Sequence, residues 1–151
     1  MTDILNLGCG NKLVKGAIQH DLVKHRPEID VAHDLNVIPW PWADESFDLI
    51  VACAVFEHLR NTLIQTVDEC WRILRPGGVL HMKLPFWKSD NAWRDPTHFW
   101  KFGLNTCDLF DPETRYGREY AFYGVRPWKI VQAARLNEAK SSFALKMQVR
   151  K

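Results

Sequence analysis

The chain has 151 residues, of which 46% are hydrophobic and 25% are charged. These values are typical of a globular protein, and the length suits one domain, residues 1–151, with one core. The net charge of +2 is too small to indicate binding to nucleic acid or to a membrane surface.

The cysteines and the start of the chain indicate a compartment. Cys9, Cys53, Cys70 and Cys107 show no Cys-x-x-Cys spacing, which argues against a zinc knuckle or a redox motif. The start of the chain lacks the pattern of a signal peptide, and the apolar run 49–56 is far too short to span a bilayer. We therefore predict a soluble, reduced, cytoplasmic protein without a metal cluster.

Apolar runs predict four strands in the first third of the chain. Three short runs, Ile4–Leu7, Ala17–His20 and Asp30–His33, are each expected to be a strand. Phe47–Cys53 is almost continuously apolar, which predicts a parallel strand that is covered on both faces. The Pro-Trp-Pro-Trp stretch at 39–42 is interpreted as a rigid loop over the sheet edge, with adenine packing as the alternative.

A helix is predicted next. Apolar residues recur at three- and four-residue spacing between Leu59 and Leu74, and Thr62 with Gln65 forms a possible capping box. Pro76-Gly77-Gly78 is expected to end the helix, and Val79–Leu84 to form the following strand.

The second half of the chain is less regular. Ser89–Asp111 is aromatic and irregular, with one short helix near Thr106–Phe110, and Pro112–Pro127 reads as a loop. The β-rich runs 128–136 and 143–151 predict an antiparallel hairpin. The predicted class is α/β, with a mostly parallel sheet and an antiparallel edge.

Polar residues and glycines follow the first three predicted strands. Gly8-Cys9-Gly10, Asp21 and Asp34 stand where those strands end. Ligands of open α/β sheets bind at this edge. Glycine admits close approach of a ligand to the backbone, and carboxylates accept from ribose hydroxyls or an adenine amine. Each feature alone also fits a tight turn or a solvated strand end, but their joint placement favours a nucleoside pocket.

Five stretches carry a family resemblance, in the order Ile-Leu-Asn-Leu-Gly-Cys-Gly at 4–10, His-Asp-Leu at 20–22 and 33–35, SFDLIVACAVFEHL at 46–59 and ECWRILRPGGVLHMKLP at 69–85. Together they resemble the class I S-adenosylmethionine-dependent methyltransferases, in particular the small-molecule type 11 group. The resemblance implies a Rossmann-like methyltransferase fold closed by the C-terminal antiparallel hairpin, with S-adenosyl-L-methionine as cofactor.

The resemblance also implies roles for residues. Those expected to contact the cofactor are Gly8, Cys9, Gly10, Asp21, Asp34, Leu35, Cys53 and Ala54. The glycine stretch and residues 53–54 would lie near the methionine part, Asp21 at the ribose, and residues 34–35 around the adenine. His58 would face the reaction cavity.

The chain departs from the family in its first loop. Asn6 stands where an acid is usual, and Lys12 where a third glycine is common. Only residues 11–16 separate Gly10 from the second strand, so a shortened loop is expected in place of a helix. This departure predicts a more open pocket and modest cofactor affinity.

The catalytic candidates are His98, Asp95 and His58. His98 is suited to act as a general base because the usual pKa of histidine lies near neutrality. Asp95 is expected to cap a turn before Pro96, and the aromatic neighbours of His98 to wall an acceptor pocket. The alternative, equally favoured, is that these aromatic residues form a small core that includes His98.

The predicted function is methyl transfer to a small-molecule or sugar-like acceptor. The absence of an Asn-Pro-Pro-Tyr motif disfavours methylation of nucleic-acid adenine. A second hypothesis is a catalytically reduced partner subunit that binds S-adenosylmethionine. A third, a nucleotide-binding oxidoreductase, is disfavoured because no Gly-x-Gly-x-x-Gly stretch opens a helix. The sequence leaves open whether the protein forms a homodimer.

Overall fold

A computed structural model describes residues 2–151 and contains a seven-stranded sheet. Its strands are β1 (Ile4–Leu7), β2 (Ala17–Asp21), β3 (Val31–Ala32), β4 (Phe47–Cys53), β5 (Leu74–Pro85), β6 (Trp128–Leu136) and β7 (Ser142–Val149). The spatial order is β3-β2-β1-β4-β5-β7-β6. The first five strands are parallel, and β7 is antiparallel to both of its neighbours. The predicted Rossmann-like α/β class, including the terminal hairpin, is confirmed.

A short loop joins β1 to β2, as predicted. The side chain of Asn6 donates to the carbonyl of Lys12 (2.8 Å) and to Oε1 of Gln19 (2.8 Å). Gln19 in turn donates to the carbonyl of Ala17 (3.1 Å). Asn6 and Gln19 are both buried, and buried amides need partners of this kind. The amide pair thus ties the loop to the sheet without a helix.

The predicted helix is α1 (Leu63–Ile73), and its capping box is present. Thr62 accepts from the backbone of Gln65, and the Gln65 side chain accepts from the backbone of Thr62. The helix ends at Ile73, just before the Pro-Gly-Gly stretch, as predicted, but the next strand begins at Leu74 and not at Val79. Leu74 already pairs with Phe47 in the sheet. Residues 76–78 lie inside β5, where a register shift accommodates them.

The two faces of the sheet differ in burial. One face joins α1 in the main core, and its central row is fully buried, consisting of Leu5, Ile50, Leu80 and Met147. On the opposite face, Val51, His81 and Lys146 are neighbours in register and stay only half-buried. The expectation that β4 is covered on both faces was therefore wrong. Within residues 2–62, the connections between β1, β2, β3 and β4 contain no helix that would cover the second face.

The segment between β5 and β6 is more ordered than predicted. It contains short 3-10 turns at Asp90–Ala92, Thr106–Phe110 and Ala121–Tyr123. It also contains α2 (Arg115–Glu119), so the interpretation of residues 112–127 as loop was wrong. Side chains of this segment, including Phe102, reach the main core.

The loop at 39–42 is anchored against α1. Trp40 is 2% exposed, and its indole donates to the carbonyl of Leu35 (3.0 Å). The guanidinium of Arg72 donates to the carbonyls of Trp40 (3.1 Å) and Trp42 (2.8 Å) and pairs with Glu69. Trp40 therefore packs in the core, and its hydrogen bond holds the backbone of Leu35 in place.

No helix formed by residues 2–151 has the length and apolar character needed to cross a membrane.

Candidate active site

A cavity of about 530 Å³ lies at the carboxyl ends of β1 to β4. The predicted cofactor residues that line it are Gly8, Gly10, Asp21, Asp34, Leu35 and Ala54. Cys9 and Cys53 lie outside its lining: Cys9 is 3% exposed, and Cys53 borders neighbouring depressions instead. The structure thus gathers residues from several strand ends around one space.

The two glycines after β1 have different constraints. Gly8 has a φ of +55°, and a Cβ there would lie 2.6 Å from Cγ2 of Val55. Gly10 has a φ of +49°, but a Cβ there would meet no atom of the described residues within 4 Å. Gly8 is therefore required by packing, whereas Gly10 leaves open space beside the cavity.

The Asp21 carboxylate organises the same loop. Its Oδ2 accepts from the backbone N–H of Gly10 (2.7 Å), and its Oδ1 accepts from that of Leu22 (2.7 Å). Each carboxylate oxygen has a second lone pair, so the group still has capacity for ligand hydroxyls. Asp34 is more exposed and uses Oδ1 to accept twice from Asn36 (2.9 and 2.8 Å).

The side chain of His20 is hydrogen-bonded to the backbone of the glycine loop. Its Nδ1 accepts from the backbone N–H of Gly8 (3.3 Å), so the ring proton is on Nε2, which donates to the carbonyl of His33 (2.9 Å). Burial lowers the pKa of His20, which keeps the ring neutral and this tautomer in place. His20 is thus a positioning residue for the glycine loop.

Ala54 lies between two cavities. It follows β4 with a φ of +58°, which is unusual for a residue other than glycine, and its N–H donates to the carbonyl of Lys83 (2.9 Å). Ala54 also lines a smaller cavity of about 170 Å³ together with Lys12, Glu57 and Lys83. The two spaces therefore adjoin at the end of β4.

Asp95, Thr97 and His58 form a hydrogen-bonded chain. Thr97 Oγ1 donates its single proton to Oδ1 of Asp95 (2.7 Å), because a carboxylate only accepts. The 2.8 Å contact between Thr97 Oγ1 and His58 Nδ1 must then have His58 as donor. Burial and the neighbouring His98 lower the pKa of His58. His58 is therefore held as the neutral Nδ1–H tautomer, with a free lone pair on Nε2.

His98 stands behind His58 and does not line the large cavity. The two rings meet edge to face, with centroids 4.6 Å apart. The His98 side chain is 9% exposed, and its Nε2 lies 3.8 Å from Asp95, too far for a hydrogen bond. Its Nδ1 is buried without a hydrogen-bond partner in the described chain.

Glu57 is a site residue that the sequence reasoning missed. It is 1% exposed, and its Oε2 has no hydrogen-bond partner among residues 2–151. Burial raises its pKa from 4.5 to about 7. The available signal was a single acid within the apolar run 52–59, since a charge in such a run indicates a buried ionisable group.

The fold also places Glu57 and His58 close to His98. One ligand-type atom of each lies within 4.8 Å of the others. His58 and His98 were predicted as catalytic candidates, but their grouping with Glu57 was not predictable, because residues 57–58 and 98 are far apart in the chain and do not follow a metal-ligand spacing.

Comparison with known proteins shows a similarity in sequence over part of the chain. Residues 17–82 match the family model described as a methyltransferase domain. Over 59 residues, which are 39% of this chain, the sequence is 42% identical to a probable S-adenosylmethionine-dependent methyltransferase of Mycolicibacterium smegmatis. Over this segment, the chain is similar in sequence to S-adenosylmethionine-dependent methyltransferases. The match spans 22% of the length of the curated relative.

Solved methyltransferases share the fold. A SAM-dependent methyltransferase from Archaeoglobus fulgidus has a TM-score of 0.67 and 16% identity, over 97% of this chain and 86% of that one. A possible histamine N-methyltransferase from Thermotoga maritima has a TM-score of 0.65 and 14% identity, over 99% and 83%. The methyltransferase fold thus extends over nearly the whole chain, beyond the segment matched in sequence.

The curated relative and the Archaeoglobus fulgidus structure are described as S-adenosylmethionine-dependent methyltransferases, so S-adenosyl-L-methionine is the group to compare with this cavity. The cavity suits such a group in two respects. The open space at Gly10 leaves room for a ligand against the backbone, and Asp21 offers a charged acceptor at its edge. The buried amides of Asn6 and Gln19 stabilise this edge in place of the usual helix.

Proposed function

We propose that this protein transfers a methyl group from S-adenosylmethionine to a small, polar acceptor. The observation that carries the proposal is the 530 Å³ cavity at the strand ends, with Asp21 and Gly10 on one side and His58 on another. Ligands of open α/β sheets bind at this edge, and a cavity of this size accommodates a nucleoside-containing group.

Asp21, Gly10 and Leu35 would hold the cofactor. The half-buried carboxylate of Asp21 would accept from the hydroxyls, Gly10 would allow backbone contact, and the buried Leu35 would provide an apolar surface for the base. When bound, the cofactor supplies a methyl group that its sulfonium already activates. The protein therefore has to bind and orient two molecules, rather than to create a reactive group.

The smaller cavity beside Ala54 is the proposed acceptor site. Its volume of about 170 Å³ admits a small molecule or one end of a larger one. Lys12 and Lys83 give its rim positive charge, and Asn91 and Asn137 add amide groups. Such a lining favours an acceptor that carries hydroxyls and an acidic group, which includes sugar acids and other sugar-like molecules.

His58 is the proposed base. Its Nε2 lone pair is free because Nδ1 donates to Thr97, and its lowered pKa keeps it neutral at physiological pH. A neutral imidazole accepts the proton that an acceptor O–H or N–H group loses as its new bond to carbon forms. His98, one layer behind, would position His58 and not contact the acceptor.

The four cysteines are free thiols in the described chain, and Cys9, Cys70 and Cys107 are buried. Free thiols suit a reducing compartment, so we propose that the protein acts in the cytoplasm on a small-molecule partner.

The proposal is tested by incubating the protein with trideuteromethyl-labelled S-adenosylmethionine and pooled polar metabolites. Mass spectrometry should detect S-adenosylhomocysteine together with a labelled acceptor. The Asp21→Ala variant should lose this activity, whereas Asp90→Ala, which removes an exposed carboxylate outside the cavity, should retain it. Binding of the cofactor without any labelled product across broad metabolite pools would favour the partner-subunit hypothesis.

A further inference from the structure

We propose that Glu57, His58 and His98 bind a divalent transition-metal ion next to the cofactor cavity. One nitrogen or oxygen of each residue lies within 4.8 Å of the others. Two imidazoles and one carboxylate are a ligand set that binds Zn²⁺ and its first-row neighbours, with further coordination positions left for water or substrate. The inference goes beyond methyl transfer, and it does not require that reaction.

The first supporting observation is the unsatisfied carboxylate of Glu57. The residue is 1% exposed, and its Oε2 has no hydrogen-bond partner within the described chain. Burial of an unpaired carboxylate is costly unless a cation or a donor compensates for it. Lys12 and Lys83 line the neighbouring cavity, but neither lysine forms an ion pair with the Glu57 carboxylate. A bound cation would satisfy this oxygen.

The second observation is the buried nitrogen of His98. Its Nδ1 is also without a hydrogen-bond partner in residues 2–151, although the side chain is only 9% exposed. Its contact with His58 is edge to face, so the two rings do not satisfy one another by a hydrogen bond. Two buried, unpartnered polar atoms in one group of three residues indicate a shared missing partner.

The third observation is the orientation of His58. Metal-bound histidines commonly donate their second ring N–H to an oxygen, which fixes the tautomer and the direction of the free nitrogen. Here Nδ1 donates to Thr97 Oγ1 (2.8 Å), which in turn donates to Asp95 (2.7 Å). This chain leaves Nε2 of His58 unprotonated, as metal coordination requires.

The backbone also holds the three residues together. The carbonyl of Glu57 accepts from the N–H of Phe99 (2.7 Å) and from that of Trp100 (3.3 Å). These bonds fasten the loop that carries His98 to the 3-10 turn that carries Glu57 and His58. The ligand group is therefore held in place before any ion binds.

The position of the group connects it with both cavities. His58 lines the larger cavity and Glu57 lines the smaller one. An ion bound between them would lie where an acceptor hydroxyl or carboxylate approaches. In the metal-bound state, Nε2 of His58 is a ligand and no longer the base. The ion would then orient the acceptor group and lower the pKa of a coordinated hydroxyl, whose proton would pass to water.

The test is metal binding by protein made without a histidine tag and freed of metal by a chelator. Titration calorimetry with Zn²⁺ should give one site per chain, and Co²⁺ should produce visible absorption bands of a coordinated ion. Thr97→Val should weaken binding by roughly 10–100-fold, as loss of an outer-shell partner does. Glu57→Gln and His98→Ala remove ligands and should weaken it more. His25→Ala, an exposed histidine outside the group, should leave the affinity unchanged.

A measurement on the unmodified chain protects the test against variants that fail to fold. In ¹⁵N-edited NMR of the histidine rings, Zn²⁺ should shift the signals of His58 and His98 and leave those of His25 in place. Absence of stoichiometric binding would overturn the proposal. So would equal affinity in wild-type and folded Glu57→Gln protein, or metal-induced shifts confined to other histidines.

Discussion

The two glycines after β1 should respond differently to the same substitution. In Gly8→Ala, the new Cβ would lie 2.6 Å from Cγ2 of Val55, and the residue would have to keep a φ of +55°. The left-handed conformation costs roughly 1–2 kcal/mol. Overpacking against a buried side chain adds roughly 1–3 kcal/mol. We therefore expect a loss of about 2–5 kcal/mol in the free energy of unfolding.

Gly10→Ala provides the matched control. Its φ of +49° carries the same conformational cost, but the described residues place no atom within 4 Å of the added Cβ. The expected loss is only about 1–2 kcal/mol. Urea unfolding followed by circular dichroism measures both values. The larger Gly10→Val substitution should remove S-adenosylmethionine binding while the domain still folds, because the side chain would occupy the cofactor's space.

A double-mutant cycle isolates the clash. If the contact with Val55 causes the additional loss, Val55→Ala should reduce the cost of Gly8→Ala by roughly 1–3 kcal/mol, measured against Val55→Ala alone. Equal destabilisation by Gly8→Ala and Gly10→Ala, or a coupling energy near zero, would refute the separation of a packing glycine from a ligand-facing glycine.

Three further predictions concern ionisable residues. Burial raises the pKa of Glu57 from 4.5 to about 7, so the folded state keeps a proton there that the unfolded chain has already lost. Metal-free wild-type protein should therefore lose about 3 kcal/mol in the free energy of unfolding as the pH rises from about 5 to about 8. Urea unfolding of Glu57→Gln should lack this loss, and parallel pH dependences would contradict the burial of Glu57. His58→Ala should lower turnover by roughly 10²–10⁴-fold and leave cofactor affinity nearly intact. His98→Ala should lower the melting temperature and reduce turnover less. Equal turnover losses in the two variants would place His98 in direct contact with the acceptor. Arg72→Met should cost roughly 3 kcal/mol in thermal unfolding because it leaves the buried Glu69 without its ion-pair partner, with only the backbone N–H of Trp40 donating to it. Arg115→Ala, at an exposed pair, should cost less than about 1 kcal/mol. Similar losses would show that Arg72 does not anchor the Trp40 loop.

The fold was predictable where local chemistry and the hydrophobic pattern agree. The periodic residues of α1 and its Thr62–Gln65 capping box specify the helix without help from the rest of the chain. The strand β3 is reduced to Val31–Ala32, although the apolar run predicted a longer one, because it lies at the sheet edge with one neighbour. Local pattern alone does not contain that information.

Other elements depend on contacts between distant residues. The start of β5 at Leu74 rests on pairing with Phe47, so the strand begins before Pro76-Gly77-Gly78 and not at Val79 as predicted. The segment that contains α2 was predicted to be a loop, yet a Cβ on Gly117 in this helix would lie 2.1 Å from the carbonyl oxygen of Asp111. Glycine is thus required by close packing, and its presence in a helix was not readable from the sequence.

In the candidate site too, some residues follow from the local sequence pattern and others depend on contacts between distant residues. The residues at strand ends, such as Gly10, Asp21 and Asp34, were predictable because parallel strands bring their carboxyl ends to one edge. Glu57 was missed, and its meeting with His98 depends on a long loop whose path the sequence does not specify. Cys9 and Cys53 were expected at the cofactor, but their side chains do not line the large cavity.

Titration calorimetry with S-adenosylmethionine tests the central claim most directly. We expect wild-type protein to bind one equivalent, and Asp21→Ala to bind at least about tenfold more weakly because it loses charged hydrogen bonds of roughly 1.5–3 kcal/mol each. Asp90→Ala should bind like wild type, since its exposed carboxylate lies outside the cavity. Absence of binding to folded wild-type protein, or unchanged affinity in folded Asp21→Ala, would contradict the assignment of this cavity to the cofactor.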